Sequence, residues 1–423
     1  MSKIDAKSHK EPLKKSAKSH KSPVENSNKK VVQKAKKSKS GKVLTTCGLL
    51  GILGGGALIA AYFLMPGKVQ TPGFLGEMFG STAKVADNNI YSRLTGAPLK
   101  SEAEVTAPAY CIQTPNGTDG ARPQAGLNEA GVVFEAIAEM GITRFAAIYQ
   151  NPSAAVIGPI RSLRTYYLEW DTPFDCAIVH AGGSGDALAA VSHGYKDLTE
   201  DYSYMYRGTY GSRLWNNLFT TSAYLAKMSA DRGYSDSDIQ GFTRMTPDDS
   251  LHARVDALTE EKLVIYEASN GKTSSLVAEV PDIAINFGGY GDFNVRYNYD
   301  VASNTYLRSY ASGRAHDIYD CPAENLGEKN PEDVCTLKQL APAVVVAMVV
   351  QERRASDNYH EDITTVGSGS AYIFQNGSAM KGMWRKPSVA EQIRFYDDSG
   401  AEIALAPGQT FVEAMPGYGS IEY

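Results

Sequence analysis

The chain has 423 residues, 43% of them hydrophobic, and its 42 Lys and Arg side chains oppose 47 Asp and Glu for a formal net charge of -5. This size and composition exclude a wholly disordered chain, a collagen and a disulfide-dense mini-protein. The net charge conceals two populations: residues 1–42 carry fourteen lysines and three acids, a charge of +11, and the rest of the chain carries -16. The sequence therefore predicts a basic tail joined to an acidic body.

An uncharged stretch, residues 43–65, separates the tail from the body. As a helix it would be about 34 Å long, enough to cross the core of a bilayer and too long for the apolar core of a cleavable signal peptide. Lysines flank it on one side only, which places the N-terminus in the cytoplasm. We therefore predict a single-pass transmembrane helix in the cell membrane, with the main body extracytoplasmic.

Residues 1–42 have too little apolar content to fold, so they are predicted to be a disordered cytoplasmic tail. Lysines without aromatic neighbours favour contact with anionic lipid headgroups over nucleic acid. The acidic body gives no reason to expect nucleic-acid binding outside the membrane. The membrane is the first expected partner, and the sequence does not predict an oligomeric state.

Beyond a linker over residues 66–90, the pattern predicts an α+β or α/β protein of two domains. Over residues 91–254 short β-type runs alternate with amphipathic helices, which favours a mixed α/β domain. Over residues 255–423 runs of alternating apolar and polar residues are joined by turn sequences, which is typical of a mainly antiparallel β domain. Within it, Val295–Tyr299 and Tyr306–Tyr310 are predicted to form one hairpin.

Four cysteines lie beyond the predicted span. Cys321 and Cys335 enclose a polar stretch with little else to hold it, and we predict a disulfide there, worth about 3 kcal/mol for a loop of about 15 residues. Cys111 and Cys176 fall in predicted strands and are interpreted either as buried thiols or as a second bridge. Neither pair has the spacing of a zinc site, so no metal and no cofactor are predicted.

An apolar run ending at His180 leads through Gly182, Gly183 and Ser184 into a predicted helix. Glycines let backbone amides approach a ligand, and the N-terminus of a helix favours an anion. The stretch matches neither a phosphate-binding P-loop nor the nucleophile elbow of a hydrolase. Two interpretations remain open: an anion-binding turn, or a tight strand-to-helix turn with Ser184 or Asp186 as the N-cap.

Three arginines precede this turn: Arg144, Arg161 and Arg164. The last two are expected about one turn apart near the start of a helix, where the helix dipole does not favour cations. Something else must neutralise them. Internal carboxylates such as Glu135 and Glu139, or an external carboxylate or phosphate, are the two explanations.

Several blocks of the chain are typical of one protein family. They are Ala121–Leu127, Glu139–Phe145, Ile157–Arg164, His180–Ser184, Gly367–Ala371, Gly382–Lys386 and Pro407–Thr410. In this order the chain resembles the DUF3048 family of YerB-like bacterial lipoproteins. The resemblance implies a two-domain extracytoplasmic protein, commonly lipid-anchored, without an activity that can be carried over.

The chain departs from the family pattern in two respects. Its predicted anchor is a membrane span instead of a lipidated cysteine. Asn216 stands where the family's Pro-His-Asn-Leu block is expected to place a histidine. This second departure weakens any mechanism that requires the imidazole.

The favoured function is a membrane-anchored module that binds an anionic or glycan ligand of the cell envelope. The residues proposed to bind it are Arg144, Arg161, Arg164, Glu139, His180, Gly182, Gly183 and Ser184. We expect the arginines to meet around the glycine-rich turn, with exposed aromatic residues of the β domain as stacking platforms.

Two other functions are considered. The first is an envelope hydrolase or transferase in which Ser184 is the nucleophile, His180 its base, and Glu135 or Asp186 orients the imidazole. The second is a structural or assembly partner in the envelope. The absence of a complete catalytic constellation disfavours an enzyme. His316 and His360, each followed by an acid, lack paired-ligand spacing and are expected to be solvated loop residues.

Overall fold

The computed structural model describes residues 90–208, 216–259, 264–267, 274–277, 282–322 and 330–423. The predicted cytoplasmic tail, the predicted span over residues 43–65 and all but the last residue of the predicted linker lie outside the described residues. Within the described ranges, no helix has the length and apolar character needed to cross a membrane.

The described residues form short helices and many strands. The helices are α1 (Glu102–Val105), α2 (Thr165–Asp171), α3 (Gly185–Val191), α4 (Ser222–Asp231), α5 (Pro247–Thr259) and α6 (Pro331–Val334). The strands up to the end of α5 are β1 (Ala109–Pro115), β2 (Val132–Glu139), β3 (Ile142–Gln150), β4 (Ala177–His180), β5 (Asp197–Thr199), β6 (Tyr206–Arg207) and β7 (Leu218–Phe219).

The strands after α5 are β8 (Val264–Glu267), β9 (Ser274–Val277), β10 (Asp282–Asn286), β11 (Val295–Asp300), β12 (Thr305–Tyr310), β13 (Asp317–Asp320), β14 (Thr336–Gln339), β15 (Val344–Val350), β16 (Glu352–Arg354), β17 (Glu361–Ile363), β18 (Gly367–Gln375), β19 (Ser378–Lys386), β20 (Arg394–Asp397), β21 (Thr410–Pro416) and β22 (Ser420–Glu422). The combination of a mixed α/β region with a mainly antiparallel β region was predicted, and the structure confirms it.

One large sheet runs through both halves of the chain. Its order in the described part is β20-β19-β18-β15-β21-β2-β3-β1-β4-β5. Strand β21 pairs in parallel with β2 on one side and with β15 on the other, so Thr410 lies opposite both Val132 and Val344. The two predicted domains, divided at residue 254, therefore share a single sheet.

Burial on both faces explains why the central strands are so apolar. In β2, Phe134 stacks on Trp170 on one face at 5.3 Å between ring centroids. The neighbouring Val133 belongs to a separate buried cluster that contains Leu225 and Met228 of α4. Helices and the segments around them thus cover both faces of this part of the sheet.

A second sheet, β12-β11-β10-β22, covers the other half of the large sheet. Its β11–β12 pair is the predicted hairpin, with Tyr299 opposite Tyr306, and the structure confirms it. Inward side chains such as Ile283 and Tyr297 share a buried cluster with Val345 of β15. Two stacked sheets therefore enclose this part of the core.

Two disulfides are present. Cys321–Cys335 confirms the predicted bridge. Cys111–Cys176 resolves the alternative left open by the sequence in favour of a bridge. It links β1 to the residue that precedes β4, its parallel neighbour.

The helix expected to start near Arg161 and Arg164 begins after both of them, at Thr165, because the preceding backbone has other partners. The Arg161 N–H donates to the Gln113 carbonyl at 2.7 Å, and the Leu163 N–H donates to the Gly182 carbonyl at 3.0 Å. Arg164 is the N-cap, in an extended conformation. The expectation that Arg161 and Arg164 lie one helical turn apart is therefore wrong.

Candidate functional site

Arg144 and Arg164 share one carboxylate. The tip of the β2–β3 hairpin, Met140 and Gly141, has positive φ at both residues, and this tight turn places Glu139 beside β3. Arg144 Nη2 donates to Glu139 Oε1 at 2.5 Å, and Arg164 Nη2 donates to Oε2 at 2.8 Å. All three side chains are buried. For these two arginines the neutralising group is internal.

Arg161 differs from them. Its backbone is fixed between the ends of β1 and β4, because its N–H donates to the Gln113 carbonyl at 2.7 Å and its carbonyl accepts from the Ala181 N–H at 3.0 Å. Its guanidinium has no hydrogen-bond partner in the part of the chain that the structure describes, and its Nε is buried. Burial lowers the pKa of Arg161, Glu139 opposes this, and Arg164 adds to it. Arg161 is thus a half-buried cation without a direct counter-charge.

Arg161 lines a cavity of about 700 Å³ at the end of β1. The wall also includes the loop over residues 115–119, the β3 residues over 142–144, and Asn216. Tyr290 and Tyr359 complete the wall from turns of the C-terminal half. Glu139 and Arg144 reach the same cavity. Five segments that are distant in the sequence therefore meet around the guanidinium of Arg161.

Asn216 holds one wall of this cavity. Its Nδ2 donates to Asp119 Oδ1 at 3.0 Å and to the Asp119 carbonyl at 3.3 Å. At the position where the family resemblance led us to expect an imidazole, this chain therefore has an amide that fixes the loop after β1 and does not titrate.

The glycine-rich turn does not gather the three arginines. Gly182 has φ +70°, as a tight strand-to-helix turn requires. The Ser184 N–H donates to the Leu163 carbonyl at 3.1 Å, so this amide is occupied. Ser184 is the N-cap of α3, without a side-chain capping bond. The expected convergence of the arginines on Gly183 and Ser184 is therefore wrong.

A second cavity of about 620 Å³ contains this end of the turn. Arg164 and Ser184 line it, together with Arg353 and Arg354. Arg354 Nε lies 3.2 Å from Glu361 Oε1, and Arg353 pairs with Asp362. The three predicted arginines are thus divided between two cavities, and Glu139 pairs with an arginine of each. Of the other predicted ligand-binding residues, His180, Gly182 and Gly183 line neither cavity.

His180 is not placed to act as a base for Ser184. It is buried, with Nδ1 2.8 Å from the Gly182 carbonyl and Nε2 3.0 Å from Asp197 Oδ1. Each ring nitrogen therefore already lies within hydrogen-bonding distance of another group. No ring nitrogen is left for the Ser184 hydroxyl. Asp186 is exposed on α3.

Glu135, the other candidate orienting residue, belongs to a different group. It accepts from Thr143 Oγ1 at 2.6 Å and from Asn116 Nδ2 at 3.0 Å. It also accepts from Arg308 of β12, which is fully buried. No pattern in the sequence indicates this network, because its members lie on strands of two sheets.

Glu413 and His316 extend this network. Arg308 Nε lies 3.7 Å from Glu413 Oε1, and burial together with Glu135 raises the pKa of Glu413 well above its ordinary value. His316 Nε2 lies 3.0 Å from Gln124 Oε1. Burial, with Arg308 nearby, lowers the pKa of His316. The expectation that His316 is a solvated loop residue is wrong.

His360 lies on the hairpin between β16 and β17, where its Nδ1 is 2.6 Å from Asp357 Oδ2. Glu361, which follows it, is buried, contrary to our expectation of a solvated residue. Within the described ranges, no cluster of three His, Cys, Asp or Glu side chains is arranged to hold a metal ion.

Comparisons with known proteins agree with this architecture. Residues 94–235 match the "Protein of unknown function (DUF3048) N-terminal domain", and residues 283–412 match the corresponding C-terminal domain. The chain is 26% identical over 328 residues to "Putative lipoprotein YerB" of Bacillus subtilis (strain 168), covering 76% of this chain and 85% of that protein. The crystal structure of YerB protein from Bacillus subtilis has the same fold, with a TM-score of 0.60 at 22% identity, covering 79% of this chain and 100% of the other. The chain belongs to the DUF3048 family.

Proposed function

We propose that this protein is a membrane-anchored extracytoplasmic module that binds the anionic group of an envelope ligand in the cavity lined by Arg161. The observation that carries the proposal is the guanidinium of Arg161, half-buried and without a hydrogen-bond partner among the described residues. A carboxylate or phosphate would supply the acceptors and the charge that it lacks.

The local charge supports the same proposal. Three guanidinium groups, those of Arg144, Arg161 and Arg164, surround the single carboxylate of Glu139. Asp119 is the other acid that stabilises the charged form of Arg161. The cavity wall as a whole is mixed, because Asp119, Glu139 and Asp292 line it together with Arg144 and Arg161, so the positive charge is local to the guanidinium groups around Glu139.

The location is proposed from three observations. Two disulfides are typical of an oxidising compartment outside the cytoplasm. The apolar residues 43–65 with lysines on one flank favour a single-pass anchor with a cytoplasmic N-terminus. The relative YerB is itself named a lipoprotein. The enzyme alternative is less well supported, because both nitrogens of His180 are occupied.

The test is a calorimetric titration of the full-length protein in detergent micelles with inorganic phosphate and with glucuronate. We expect Arg161→Gln to weaken the binding of each anion at least tenfold. Arg93→Gln is the matched control: it removes the same charge from an exposed ion pair with Asp238, and it should leave the affinity within twofold of wild type. Equal effects of the two substitutions would contradict the proposal.

A further inference from the structure

We infer that the anionic group is carried on a sugar, so that the ligand is a carboxylate- or phosphate-bearing saccharide. This inference rests on the proposed function. Two tyrosines line the Arg161 cavity, and their side chains are among the most exposed large apolar groups of the described residues: Tyr290 is 59% and Tyr359 51% exposed.

The side chain of Tyr290 packs against the backbone of Gly141. A Cβ added at Gly141 would lie 3.4 Å from the Tyr290 ring, so the ring packs against the glycine at the tip of the β2–β3 hairpin. Phe293, three residues later, is buried and lies 5.1 Å from the guanidinium of Arg122. The turn that carries Tyr290 is therefore anchored, while most of the tyrosine itself remains exposed.

Tyr359 is held at the tip of the β16–β17 hairpin. The backbone N–H groups of Tyr359 and His360 both donate to Asp357 Oδ1 at 2.9 Å. The His360 ring stands edge-on to the Tyr359 ring at 4.9 Å between centroids. An isolated β-bridge joins His360 to Glu139. The hairpin is thus joined through its backbone to Glu139, the residue whose carboxylate pairs with two of the arginines.

A saccharide matches this set of groups. One face of a pyranose ring is rich in C–H bonds and packs on an exposed aromatic ring, while the ring edge presents hydroxyls. Asp119 and Asn216, which line the wall, have acceptor and donor groups for hydroxyls. The guanidinium of Arg161 would pair with the acidic group of the saccharide. A bare anion would make no use of the two tyrosine rings.

Aromatic rings beside arginine also occur in sites for single-stranded nucleic acid. Such sites follow the phosphate backbone with an extended basic groove, and their affinity for the nucleic acid depends on many Lys and Arg side chains that neutralise phosphates. Here the body of the protein has a net charge of -16, and acidic side chains line both arginine-containing cavities beside the arginines. The charge distribution therefore favours a ligand with a single acidic group at a time over a polyphosphate chain.

The experiment uses full-length protein in detergent micelles and five probes: an oligogalacturonate, glucose 6-phosphate, a neutral cello-oligosaccharide, inorganic phosphate and a short oligodeoxynucleotide. We expect at least one acidic saccharide to bind at least tenfold more tightly than phosphate and than the neutral oligosaccharide. Comparison of the oligogalacturonate with glucose 6-phosphate shows whether the site prefers a carboxylate or a phosphate.

Variants separate the two proposals. Tyr290→Ala combined with Tyr359→Ala should weaken binding of the acidic saccharide at least tenfold and leave phosphate binding within twofold. Tyr202→Ala, at a residue 62% exposed outside the cavity wall, is the control and should change neither. Both tyrosines of the double variant are exposed, and a thermal unfolding curve verifies that it folds.

The results that would contradict the saccharide inference differ from those that would contradict the proposed function. Arg161-dependent binding of phosphate without a preference for acidic saccharides, or without an effect of the tyrosines, would overturn the saccharide inference and leave the proposed function standing. Tighter binding of the oligodeoxynucleotide would also overturn it. An absence of Arg161-dependent binding for all the anions would overturn both.

Discussion

At the scale of single residues, Glu135 and Glu139 show where sequence reasoning stops. Both were proposed as internal partners of the arginines, and in a regular strand residues four apart face the same side. A β-bulge between Ile137 and Glu139 changes the register of β2 against β3. Glu139 consequently pairs with Arg144 and Arg164, while Glu135 pairs with Arg308 in the core. The bulge has no signature in the residue pattern.

Asp171 supports a prediction of pH dependence. It is fully buried at the end of α2, and burial raises its pKa well above 3.8. Among the described residues its carboxyl group accepts one hydrogen bond, from Gln113 Nε2 to Oδ2 at 3.1 Å. Above about pH 4 the Asp171 carboxyl loses its proton in the unfolded chain but keeps it in the folded protein. This residue therefore lowers the free energy of unfolding as the pH rises, by up to about 1.4 kcal/mol per pH unit, until the pH passes the pKa of Asp171 in the folded protein.

We therefore expect Asp171→Asn, which has no such proton, to gain stability relative to wild type as the pH is raised from 4 to 8. Urea unfolding at each pH measures the difference. Asp238→Asn, at an exposed ion pair, should differ from wild type by less than about 0.5 kcal/mol throughout. A difference between Asp171→Asn and wild type that is constant over this range would contradict the assignment.

At the scale of elements, the apolar pattern of the sequence located strands but did not indicate which strands pair with each other. Strand β15, Val344–Val350, is easily recognised in the sequence, because it is a run of apolar residues buried on both faces. Strand β21 was placed in an antiparallel domain, yet it pairs in parallel on both sides. Strand β14 is mostly exposed and carries no burial pattern to detect. Tyr290 and Tyr359 lie in turns, where periodicity offers no information about which residues meet.

The two disulfides support a prediction about these elements. The Cys111–Cys176 disulfide closes a loop of 65 residues, and the Cys321–Cys335 disulfide closes a loop of 14 residues. Replacing both cysteines of a pair by alanine removes that constraint from the unfolded chain. On the chain-entropy estimate the losses are about 4 and about 3 kcal/mol respectively. The first pair also contributes buried side chains to the core. Thermal unfolding of the two double variants should therefore show the larger decrease in Tm for Cys111 and Cys176, and the reverse order would contradict this.

At the scale of the whole molecule, the shared sheet bears on domain independence. The N-terminal half ends its sheet at β2, whose Val132–Glu135 edge is paired only by β21. Phe411 packs in the same cluster as Val133, and Val412 in the same cluster as Phe134. Without β21, both faces of β2 lose apolar neighbours and its edge loses its hydrogen bonds.

We expect residues 90–254, expressed alone, to show no cooperative thermal transition and to be digested rapidly by a protease. Residues 90–423 are the matched control and should melt cooperatively and resist digestion. Near-UV circular dichroism and limited proteolysis measure both properties. A cooperative transition in the shorter fragment would show that the N-terminal half folds without β21.

The position of β21 also has a kinetic consequence. In the chain it follows the other nine strands of the large sheet, yet it occupies the middle of that sheet. Until Pro416 has been synthesised, β2 and β15 each present an open edge. Pairing between segments so distant in sequence is slow, and open strand edges in incomplete chains promote aggregation. The two halves therefore complete their folding together and after translation, and dependence on chaperones is expected to be greatest in that interval.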